Sequence, residues 1–409
     1  MYTEINQCRV CGNTDLKTVL DLGEQVLTGV FPRQKDAVIT KGPLRLVKCT
    51  GAGDNCGLLQ LAHSYDLGEM YGENYGYRSG LNASMVRHLH GKVEKILTQV
   101  DLIVDIGSND STTLQAYPAS GSNLVGVDPT GVKFHEYYPP HIKLVPDFFS
   151  SALLQEQFPG QKAKIITSFS MFYDLEDPLA FMRDIHEVLA EDGIWVFEQS
   201  YMPTMLEMNS YDTVCHEHLE YYSLRQIKWM ADQVGFDIVD VDFNDINGGS
   251  FSVSVRKSAP GAGHSAVVSQ VLRREDESNL ESLGPYLNFA KRVEKNRVDL
   301  LEFAARAKEE HKVIGVLGAS TKGNVLLQYC GFSEDDIPFV GEVNPEKYGC
   351  YTPGSLIPII PEEELMAKSP DYLLVLPWHF KAFFLESEKF RNHSLVFPLP
   401  VIDVNKQID

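Results

Sequence analysis

Four cysteines lie near the amino terminus and could bind one metal ion. Cys8 and Cys11 form a C-x2-C knuckle followed by Gly12, and Cys49 and Cys56 close a glycine-rich loop. Two such pairs offer four thiolates, the soft and closed ligand set that structural Zn²⁺ prefers. The alternatives are four unrelated buried thiols or, less favoured in a reducing compartment, disulfides. We therefore predict a structural zinc site of these four cysteines.

A second group of reactive side chains lies in the segment SYDTVCHEHLEYYSLRQI, residues 210–227. His216 and His218 flank Glu217, and histidines at i and i+2 share one face only where the chain is extended or irregular. The pattern is not H-E-x-x-H, which disfavours a protease-type zinc site. A histidine oriented by a carboxylate suits proton transfer instead. The alternative is a pair of surface histidines in a loop.

The middle of the chain supplies a scaffold that could position such groups. Short apolar runs predict buried parallel strands, and helical stretches are predicted between them at 111–117, 131–138, 151–157 and 178–190. This βαβα alternation predicts a doubly wound α/β sheet with right-handed crossovers. The strand segments are DLIVDIGSND (101–110), NLVGVDPT (123–130), KLVPDFFS (143–150), KIITSFSMF (164–172) and GIWVFEQS (193–200).

Ligands of such a sheet bind at the carboxyl ends of its strands. There Gly107 allows close approach of the backbone, and Asp128 ends the second strand, where a carboxylate can accept both hydroxyls of a ribose. The fingerprint G-x-G-x-x-G is absent, which favours S-adenosylmethionine over a pyrophosphate-containing dinucleotide. The alternative is that Asp128 only caps a helix. The predicted cofactor-binding residues are Asp105, Gly107, Ser108, Asn109, Asp128, Asp147, Phe148 and Ser168.

A connector precedes the sheet, with a helix predicted from Asn82 to Leu97. Before it, the segment YGENYGYRSG (71–80) contains Tyr75 and Tyr77 among glycines, which indicates a loop. That loop is either a tyrosine-rich surface turn or an active-site flap. At the far end of the domain, Gly248-Gly249 predicts a tight turn into a strand that completes the sheet.

The last third of the chain predicts a second α/β domain. Residues 263–310 are charged and amphipathic and predict one or two long helices. Short apolar strands follow at 312–320, 337–344 and 372–378. The turn GASTKGN, which contains Lys322, predicts an anion-binding site at a helix N-terminus, with an ordinary strand–helix turn as the alternative. Two facing α/β domains would form a cleft for a ligand.

Length and charge limit the class of protein. The chain has 409 residues, for which we predict domains at 1–65, 66–262 and 263–409. With 36 Lys+Arg against 56 Asp+Glu the formal net charge is −20, which argues against binding to nucleic acid or to a membrane surface. No apolar run reaches the ~18–20 residues of a membrane span, and MYTEINQCRV lacks a secretory pattern. We expect a cytoplasmic protein with reduced cysteines.

The order of these motifs resembles a known family over nearly the whole chain. After the cysteine pairs come YGYRSG, DIGSND, CHEHLEYYSL, NGGSFSV, GASTKGN and YLLVLPWHF, as in the bacterial sugar C-methyltransferases that act on nucleotide-linked deoxysugars. The resemblance implies a zinc-binding N-terminal domain, a central S-adenosylmethionine domain and a C-terminal Rossmann-like α/β domain that helps to hold the sugar nucleotide. It also implies methylation next to a ketone, commonly at C3 of a 4-keto-6-deoxy sugar.

Such a reaction needs a base, because a sugar carbon becomes nucleophilic only after a proton α to a carbonyl is removed. By resemblance, His218 is the expected base, Glu217 is its partner and Tyr77 is a donor near the sugar. His216 is expected as a second donor. The residues expected to bind the sugar nucleotide are Tyr75, Tyr222, Asn247, Ser320, Lys322, Asn324, Trp378 and His379.

Three positions depart from the family pattern. Cys215 stands where a tyrosine often precedes HEH, and Tyr173-Asp174 stands where a histidine often follows the fourth strand. Ser111 replaces a glycine that often follows GSND. These departures leave the sugar, its stereochemistry and the base open, with Tyr173 or Asp174 as alternative bases.

Three other functions stay open as well. The first is an O- or N-methyltransferase on a similar sugar nucleotide, and the second is a non-catalytic sugar-nucleotide-binding protein. A nicotinamide oxidoreductase is a weaker third. The sequence sets no oligomeric state.

Overall fold

The computed structural model describes residues 2–51, 55–70, 77–97, 101–261 and 263–405. Within these ranges the chain forms a small N-terminal β region, a central seven-stranded sheet and a C-terminal six-stranded sheet. None of the described helices has the length and apolar character needed to cross a membrane.

The N-terminal region consists of antiparallel strands. Along its longest strand Leu20 and Leu22 are buried while Asp21 is exposed, the alternation of a sheet covered on one face. The first and fifth strands pair separately as a two-stranded ribbon. The elements are β1 (Tyr2–Glu4), β2 (Leu16–Val26), β3 (Lys41–Cys49), β4 (Leu59–Leu61), β5 (His63–Tyr65) and the short helix α1 (Leu67–Met70).

The central region contains the five predicted strands, all of which are confirmed, and the glycine-turn hairpin that completes its sheet. The elements are α2 (Ala83–Ile96), β6 (Leu102–Ile106), β7 (Asn123–Val127), β8 (Ile142–Val145), α3 (Ser151–Gln157), β9 (Ala163–Phe169), α4 (Pro178–Val188), β10 (Leu189–Ser200), α5 (Met202–Glu207), β11 (Glu220–Tyr221), α6 (Leu224–Val234), β12 (Phe236–Asn244) and β13 (Ser250–Lys257).

The strand order of the central sheet determines where a ligand can bind. The order is β12-β13-β10-β9-β6-β7-β8, with β6 to β10 parallel and β13 antiparallel to both of its neighbours. The chain runs outward from β6 through β7 to β8 and returns to β9 on the other side of β6. This reversal makes a crevice at the carboxyl ends of β6 and β9, where ligands of open α/β sheets bind.

Two helix predictions in this domain are wrong. Segment 111–117 forms only a 3₁₀ turn at Leu114–Ala116, and segment 131–138 lies within two turns, Pro129–Val132 and His135–Tyr137. Asn109 and Ser111 adopt left-handed φ angles of 49° and 64°, which a helix cannot contain. The predictions of α2, α3 and α4 are confirmed, although the last two residues predicted for α4 begin β10.

Strand β11 is not part of the central sheet. Glu220 lies opposite Gln60 and Tyr221 lies opposite Leu59, so β11 is an edge strand of the N-terminal sheet, whose order is β11-β4-β3-β2. The Leu61 amide also donates to the Leu219 carbonyl at 2.8 Å. The segment that carries HEH is therefore attached to the cysteine-rich region.

The C-terminal region begins with two helices, as predicted for 263–310. Its sheet has the order β16-β15-β14-β17-β18-β19 and is parallel except for β19. The elements are α7 (Ala266–Glu277), α8 (Gly284–Glu309), β14 (Ile314–Leu317), α9 (Thr321–Cys330), β15 (Val340–Glu342), β16 (Ile359–Pro361), α10 (Glu362–Ala367), β17 (Tyr372–Val375), α11 (Lys381–Glu386), β18 (Ser394–Phe397) and β19 (Asp403–Asn405).

Two apolar cores join these regions. One contains N-terminal strand residues such as Leu46, the HEH-segment residue Cys215 and C-terminal strand residues such as Val316. The other packs Cys8 and Cys56 against the central sheet. The HEH segment thus lies where all three regions meet.

Candidate active site and zinc site

The four N-terminal cysteines converge as predicted. Cys8 Sγ lies 3.6 Å from Cys56 Sγ, Cys11 Sγ lies 3.6 Å from Cys49 Sγ, and all four sulfurs lie within 4.8 Å of one another. Disulfide-bonded sulfurs are only about 2.05 Å apart. Four sulfurs placed about 2.3 Å from a tetrahedral zinc ion are roughly 3.8 Å apart. Donor type and spacing therefore fit Zn²⁺, which would stabilise the fold here.

The residues around the sulfurs connect this site to the rest of the protein. Gly12 adopts a φ of 70°, and its amide donates to the Cys8 carbonyl at 2.9 Å. The Asn13 side-chain amide donates to Cys49 Sγ at 3.2 Å. Arg9, inside the knuckle, donates to the Leu61 carbonyl at 2.6 Å. The zinc site is thereby linked to β4, the strand that pairs with β11.

The turn after β6 has the features expected of a cofactor site. Gly107 has a φ of 73°, and a Cβ there would lie 3.0 Å from the Met171 side chain. Asp128 accepts the Asn109 amide at 2.7 Å and the Thr130 amide at 2.7 Å. It therefore caps the following 3₁₀ turn and also supports the Gly107 turn, and Oδ2 keeps a lone pair for a ligand.

The carboxyl ends of the neighbouring strands complete this edge of the sheet. Burial raises the pKa of Asp105 to about 7, although its carboxylate accepts the Thr167 hydroxyl at 2.5 Å. Asp147 is exposed, and Phe148 leaves 56% of its surface exposed beyond β8, as an apolar face that a purine could contact. The Gly107 backbone, which has no side chain, the Asp128 carboxylate and the Phe148 ring together fit S-adenosylmethionine.

Two other predicted cofactor residues act within the protein. Ser108 Oγ lies 2.8 Å from the Tyr138 hydroxyl. Ser168 is fully buried, and its hydroxyl accepts the Trp195 indole N–H at 3.0 Å. Ser168 is therefore a packing residue in this structure rather than a residue that faces the crevice.

The tyrosine-containing connector lies against the Gly107 turn. Asn109 Oδ1 accepts the Ser79 amide at 3.0 Å, and Asn109 Nδ2 donates to the Tyr77 carbonyl at 3.2 Å. Tyr77 leaves 49% of its surface exposed, as expected for a ring at the rim of a cleft. This geometry favours the flap interpretation. Tyr75 lies outside the residues that the structure describes.

The hydrogen bond of His218 fixes its ring in the orientation and tautomer expected of a general base. Its Nδ1 lies 2.9 Å from the Thr213 carbonyl, which requires that Nδ1 carries the proton and leaves Nε2 as the basic nitrogen. The His218 ring packs on Tyr173 with 4.3 Å between centroids. Burial and the charge of Lys322 lower the pKa of His218 to about 3. The imidazole is therefore neutral at physiological pH and Nε2 has a free lone pair, and negative charge that develops on a substrate beside it would raise its pKa toward the range of a general base.

The alternative bases lie beside this histidine. Burial, together with the neighbouring Asp174, Cys215 and Tyr77, raises the pKa of Tyr173 well above its usual value. Cys215 is fully buried, and its pKa is raised by burial and by Glu217 and Asp174. A protonated phenol and a protonated thiol are poor bases, which favours His218 over Tyr173, and Asp174 stays open as the other alternative base.

His216 does not accompany His218, and its predicted role as a second donor is not supported. The chain turns at residues 216–217, so the two histidines do not share a face. His216 is fully buried against Tyr65, edge to face at 4.6 Å, in the N-terminal region. Neither ring nitrogen has a hydrogen-bond partner among the described residues.

Glu217 lies between the N-terminal region and helix α9. A Cβ on Gly29 would lie 2.3 Å from Glu217 Oε1 and 3.6 Å from the Thr321 hydroxyl. Glu217 Oε2 is buried without a hydrogen-bond partner in the described part of the chain, and burial raises the pKa of this carboxyl. No hydrogen bond joins Glu217 to His218 among the described residues, and the partner of His218 Nδ1 is the Thr213 carbonyl, so this structure does not support the expected pairing.

Replacing Gly29 with alanine tests whether the position of Glu217 matters. The new methyl group would displace the Glu217 carboxylate. We expect the methyl-transfer rate to fall by about tenfold, the effect of moving a group by roughly 1 Å or less in a preorganised site. The unfolding free energy should change by less than about 1 kcal/mol, because the displaced atom ends a flexible side chain.

The control is Gly91→Ala, in helix α2, where a Cβ meets no atom within 4 Å. Steady-state kinetics and urea unfolding of the two variants provide the comparison. Unchanged kinetics in Gly29→Ala would show that Glu217 acts outside the reaction.

The C-terminal region contributes one wall near His218. Lys322 Nζ donates to the Asn247 carbonyl at 3.0 Å. The Trp378 indole N–H donates to Asp212 Oδ2 at 2.8 Å. Burial and the charge of Lys322 lower the pKa of His379 to about 3. The structure therefore brings Asn247, Lys322, Trp378 and His379 together next to the HEH segment.

Three other residues assigned to the sugar nucleotide have internal roles in this structure. Asn324 is fully buried and donates to the Thr28 carbonyl at 2.8 Å. Ser320 caps α9 by accepting the Gly323 amide at 3.0 Å. Tyr222 is buried against Phe172, within the core of the central sheet.

The turn GASTKGN does not have the features of an anion site. The Ala319 amide donates to Glu342 Oε2 at 2.7 Å, so the protein's own carboxylate occupies the turn. A phosphate there would meet that negative charge. This observation favours the ordinary strand–helix turn.

Sequence reasoning missed two residues of the site. Thr213 acts through its backbone carbonyl, which no side-chain pattern can reveal. Asp212 is a buried acidic residue directly before it, and its Oδ1 has no hydrogen-bond partner among the described residues. The signal available in the sequence was an acidic residue six positions before His218.

Three buried histidines predict an acid-sensitive fold. Burial lowers the pKa values of His216, His218 and His379 to about 3, against about 6.5 in an unfolded chain. Since these pKa values are depressed, the stabilisation is present above about pH 6.5 and is lost as the pH falls toward 3. The unfolded state then binds more protons than the folded state.

We expect His216→Phe to reduce the slope of unfolding free energy against pH, between pH 6 and 4, by up to about 1.4 kcal/mol per pH unit, one proton. Urea titrations at several pH values measure this slope. The exposed His141→Phe serves as the control. An unchanged slope in His216→Phe would contradict a buried neutral histidine.

Three family models match successive segments of the chain. A zinc binding domain model matches residues 8–71, a methyltransferase domain model matches 83–241, and a C-methyltransferase C-terminal domain model matches 245–400. The C-methyltransferase NovU of Streptomyces niveus is 29% identical over 406 residues, which cover 97% of this chain and 96% of NovU.

Solved structures also resemble part of the chain. The CcbJ methyltransferase from Streptomyces caelestis is 12% identical, with 42% of this chain and 90% of that chain covered and a TM-score of 0.33. The LepI complex with SAM is 15% identical, with 42% and 46% covered and a TM-score of 0.34. From these matches, the chain is an S-adenosylmethionine-dependent methyltransferase whose successive segments are similar to a zinc binding domain, a methyltransferase domain and a C-methyltransferase C-terminal domain, and it is similar to a C-methyltransferase over nearly its whole length.

Proposed function

We propose that this protein methylates a sugar carbon next to a ketone, with C3 of a nucleotide-linked 4-keto-6-deoxyhexose as the position. The observation that best supports this proposal is the neutral His218, whose Nδ1 lies 2.9 Å from the Thr213 carbonyl oxygen. A fixed, neutral imidazole beside Tyr173 suits removal of a proton from carbon. The sugar-nucleotide class rests on the resemblance of the motifs CHEHLEYYSL and NGGSFSV.

Different residues bind the methyl donor, remove the proton and contact the sugar in the proposed reaction. Gly107, Asp128 and Phe148 would hold S-adenosylmethionine, which supplies an electrophilic methyl group. His218 Nε2 accepts the proton on the carbon next to the ketone, and Thr213 stabilises the imidazolium that forms. Because the segment around His218 is buried, water is kept from the carbanion. Tyr77 lies at the rim, where its hydroxyl can donate to the sugar.

The setting of the enzyme follows from the same assignment. A net charge of −20 and a small-molecule substrate suit a cytoplasmic biosynthetic enzyme that binds neither nucleic acid nor membranes. The boundaries 1–65, 66–262 and 263–409 belong to this proposal, with β11 as the part of the middle segment that joins the N-terminal sheet.

The test is a reaction with methyl-¹³C S-adenosylmethionine and a panel of nucleotide-linked 4-keto-6-deoxy sugars, read by carbon–proton NMR. A labelled methyl on a ring carbon supports the proposal and identifies the acceptor. A methyl at the shift of an oxygen-bound group would show O-transfer instead. Absence of transfer to every sugar, in a protein that binds the methyl donor, would refute the proposal.

A further inference from the structure

Lys322 differs from Lys92, a buried cation that contacts the central sheet. Lys92 lies 2.9 Å from Glu198 Oε2, a full ion pair. Lys322 has no carboxylate oxygen within 4.0 Å among the described residues, and its one hydrogen bond goes to the Asn247 carbonyl at 3.0 Å. An ammonium has three N–H donors. Two donors of a half-buried cation are therefore available to a ligand.

The side chain is attached to the wall that contains the proposed base. Asn247, at the turn between β12 and β13, has a left-handed φ of 56° that aims its carbonyl at Lys322. Asp212 accepts the Trp378 indole, and the next residue, Thr213, holds His218. The charge of Lys322 contributes to the lowered pKa values of both His218 and His379. The cation and the base thus share one part of the cleft.

These surroundings do not suit a diphosphate. The Ala319 amide of the adjoining turn already donates to Glu342. Asp212 is buried close enough to interact with Lys322, and its Oδ1 lacks a hydrogen-bond partner in the described part of the chain. A multiply charged phosphate would face both carboxylates, and the nearby cation Lys347 already donates to the Ala319 carbonyl at 2.7 Å. A ketone oxygen carries at most one negative charge. It could therefore bind Lys322 while the carboxylates of Asp212 and Glu342 stay in place.

We propose that Lys322 donates to the ketone oxygen of the acceptor and stabilises the enolate. This role rests on the proposed function. His218 Nε2 takes the α proton, the C–H electron pair becomes a C=C bond, and the carbonyl π pair moves to the oxygen that Lys322 contacts. When the carbon bonds to the methyl group, the donor's C–S bond breaks and the C=O bond re-forms.

The experiment measures deuterium exchange at the acceptor carbon in D₂O without methyl donor, at saturating acceptor. Lys322→Met is expected to slow exchange by about 10²- to 10³-fold, as for loss of one oxyanion donor. Its affinity for uridine and thymidine diphosphate should stay within about threefold of wild type. Lys322→Gln keeps an N–H donor to Asn247 but loses the positive charge that stabilises the enolate, so it is expected to slow exchange by at least about tenfold, less than Lys322→Met. This variant answers the question if the methionine variant fails to fold.

The control is Lys312→Met, a surface lysine paired with Asp371, which should exchange at the wild-type rate. A fall of more than about tenfold in diphosphate affinity with exchange unchanged would make Lys322 a phosphate ligand and overturn the proposal. No exchange in wild type would refute the proposed function itself, whereas exchange that persists in both Lys322 variants would refute only this role.

Discussion

Replacing His218 with asparagine is expected to lower the rate of methyl transfer by about 10²- to 10⁴-fold, the contribution of a positioned general base. The asparagine amide can still donate to the Thr213 carbonyl, which accepts His218 Nδ1 at 2.9 Å, so the loop should keep its conformation. No atom of asparagine can take the carbon proton. Deuterium exchange without methyl donor, measured beside methyl transfer, isolates this step.

Two further variants decide among the candidate bases. Tyr173→Phe and Asp174→Asn remove the alternatives while nearly preserving volume, and we expect smaller losses of exchange than in His218→Asn. Binding of S-adenosylmethionine, measured by calorimetry, should remain within about twofold in all three, since the cofactor turn is on another strand end. If His218→Asn exchanged normally and Asp174→Asn did not, the base would be Asp174.

Replacing Cys49 with serine is expected to remove zinc and to lower the unfolding free energy by about 4 kcal/mol or more, because metal affinity is part of folding free energy at such sites. Cys49 ends β3, β3 pairs with β4, and β4 pairs with β11. Loss of the metal should therefore also release the segment that positions His218. Atomic emission of the purified protein, thermal unfolding and deuterium exchange report these three effects.

Cys350→Ala provides the matched control, since Cys350 is a buried cysteine of the C-terminal domain. It should keep one equivalent of zinc and its exchange activity. A Cys49→Ser protein with full zinc content and unchanged unfolding would show that the four sulfurs do not form one metal site.

Local sequence patterns were sufficient to predict the five parallel strands of the central sheet and the four clustered cysteines. Apolar runs such as Leu102–Ile106 are buried on both faces, a pattern typical of parallel strands. The Cys pairs converge because their spacing fits one ion. The helix prediction at 111–117 failed because Asn109 and Ser111 adopt left-handed φ angles. Tertiary contacts of the turn impose these angles, and a local sequence pattern does not reveal them.

The site was predicted only in part, because long-range pairing positions its residues. His216 and His218 diverge since the chain turns before β11 enters the N-terminal sheet, a contact across about 160 residues that no local period encodes. The partner of His218 is a backbone carbonyl rather than Glu217. Lys322 was found by its motif, but its neighbours Asp212 and Asn247 come from two other parts of the chain.

The two-residue strand β11 has a consequence for protein engineering. Its pairing with β4 is reinforced by Gln226, whose side-chain amide donates to the Cys56 carbonyl at 3.0 Å. A chimera that exchanges only residues 1–65 with a relative would join one protein's metal module to another protein's reactive loop. The smallest transferable unit is discontinuous: residues 1–65 together with the stretch 209–227, moved as one piece.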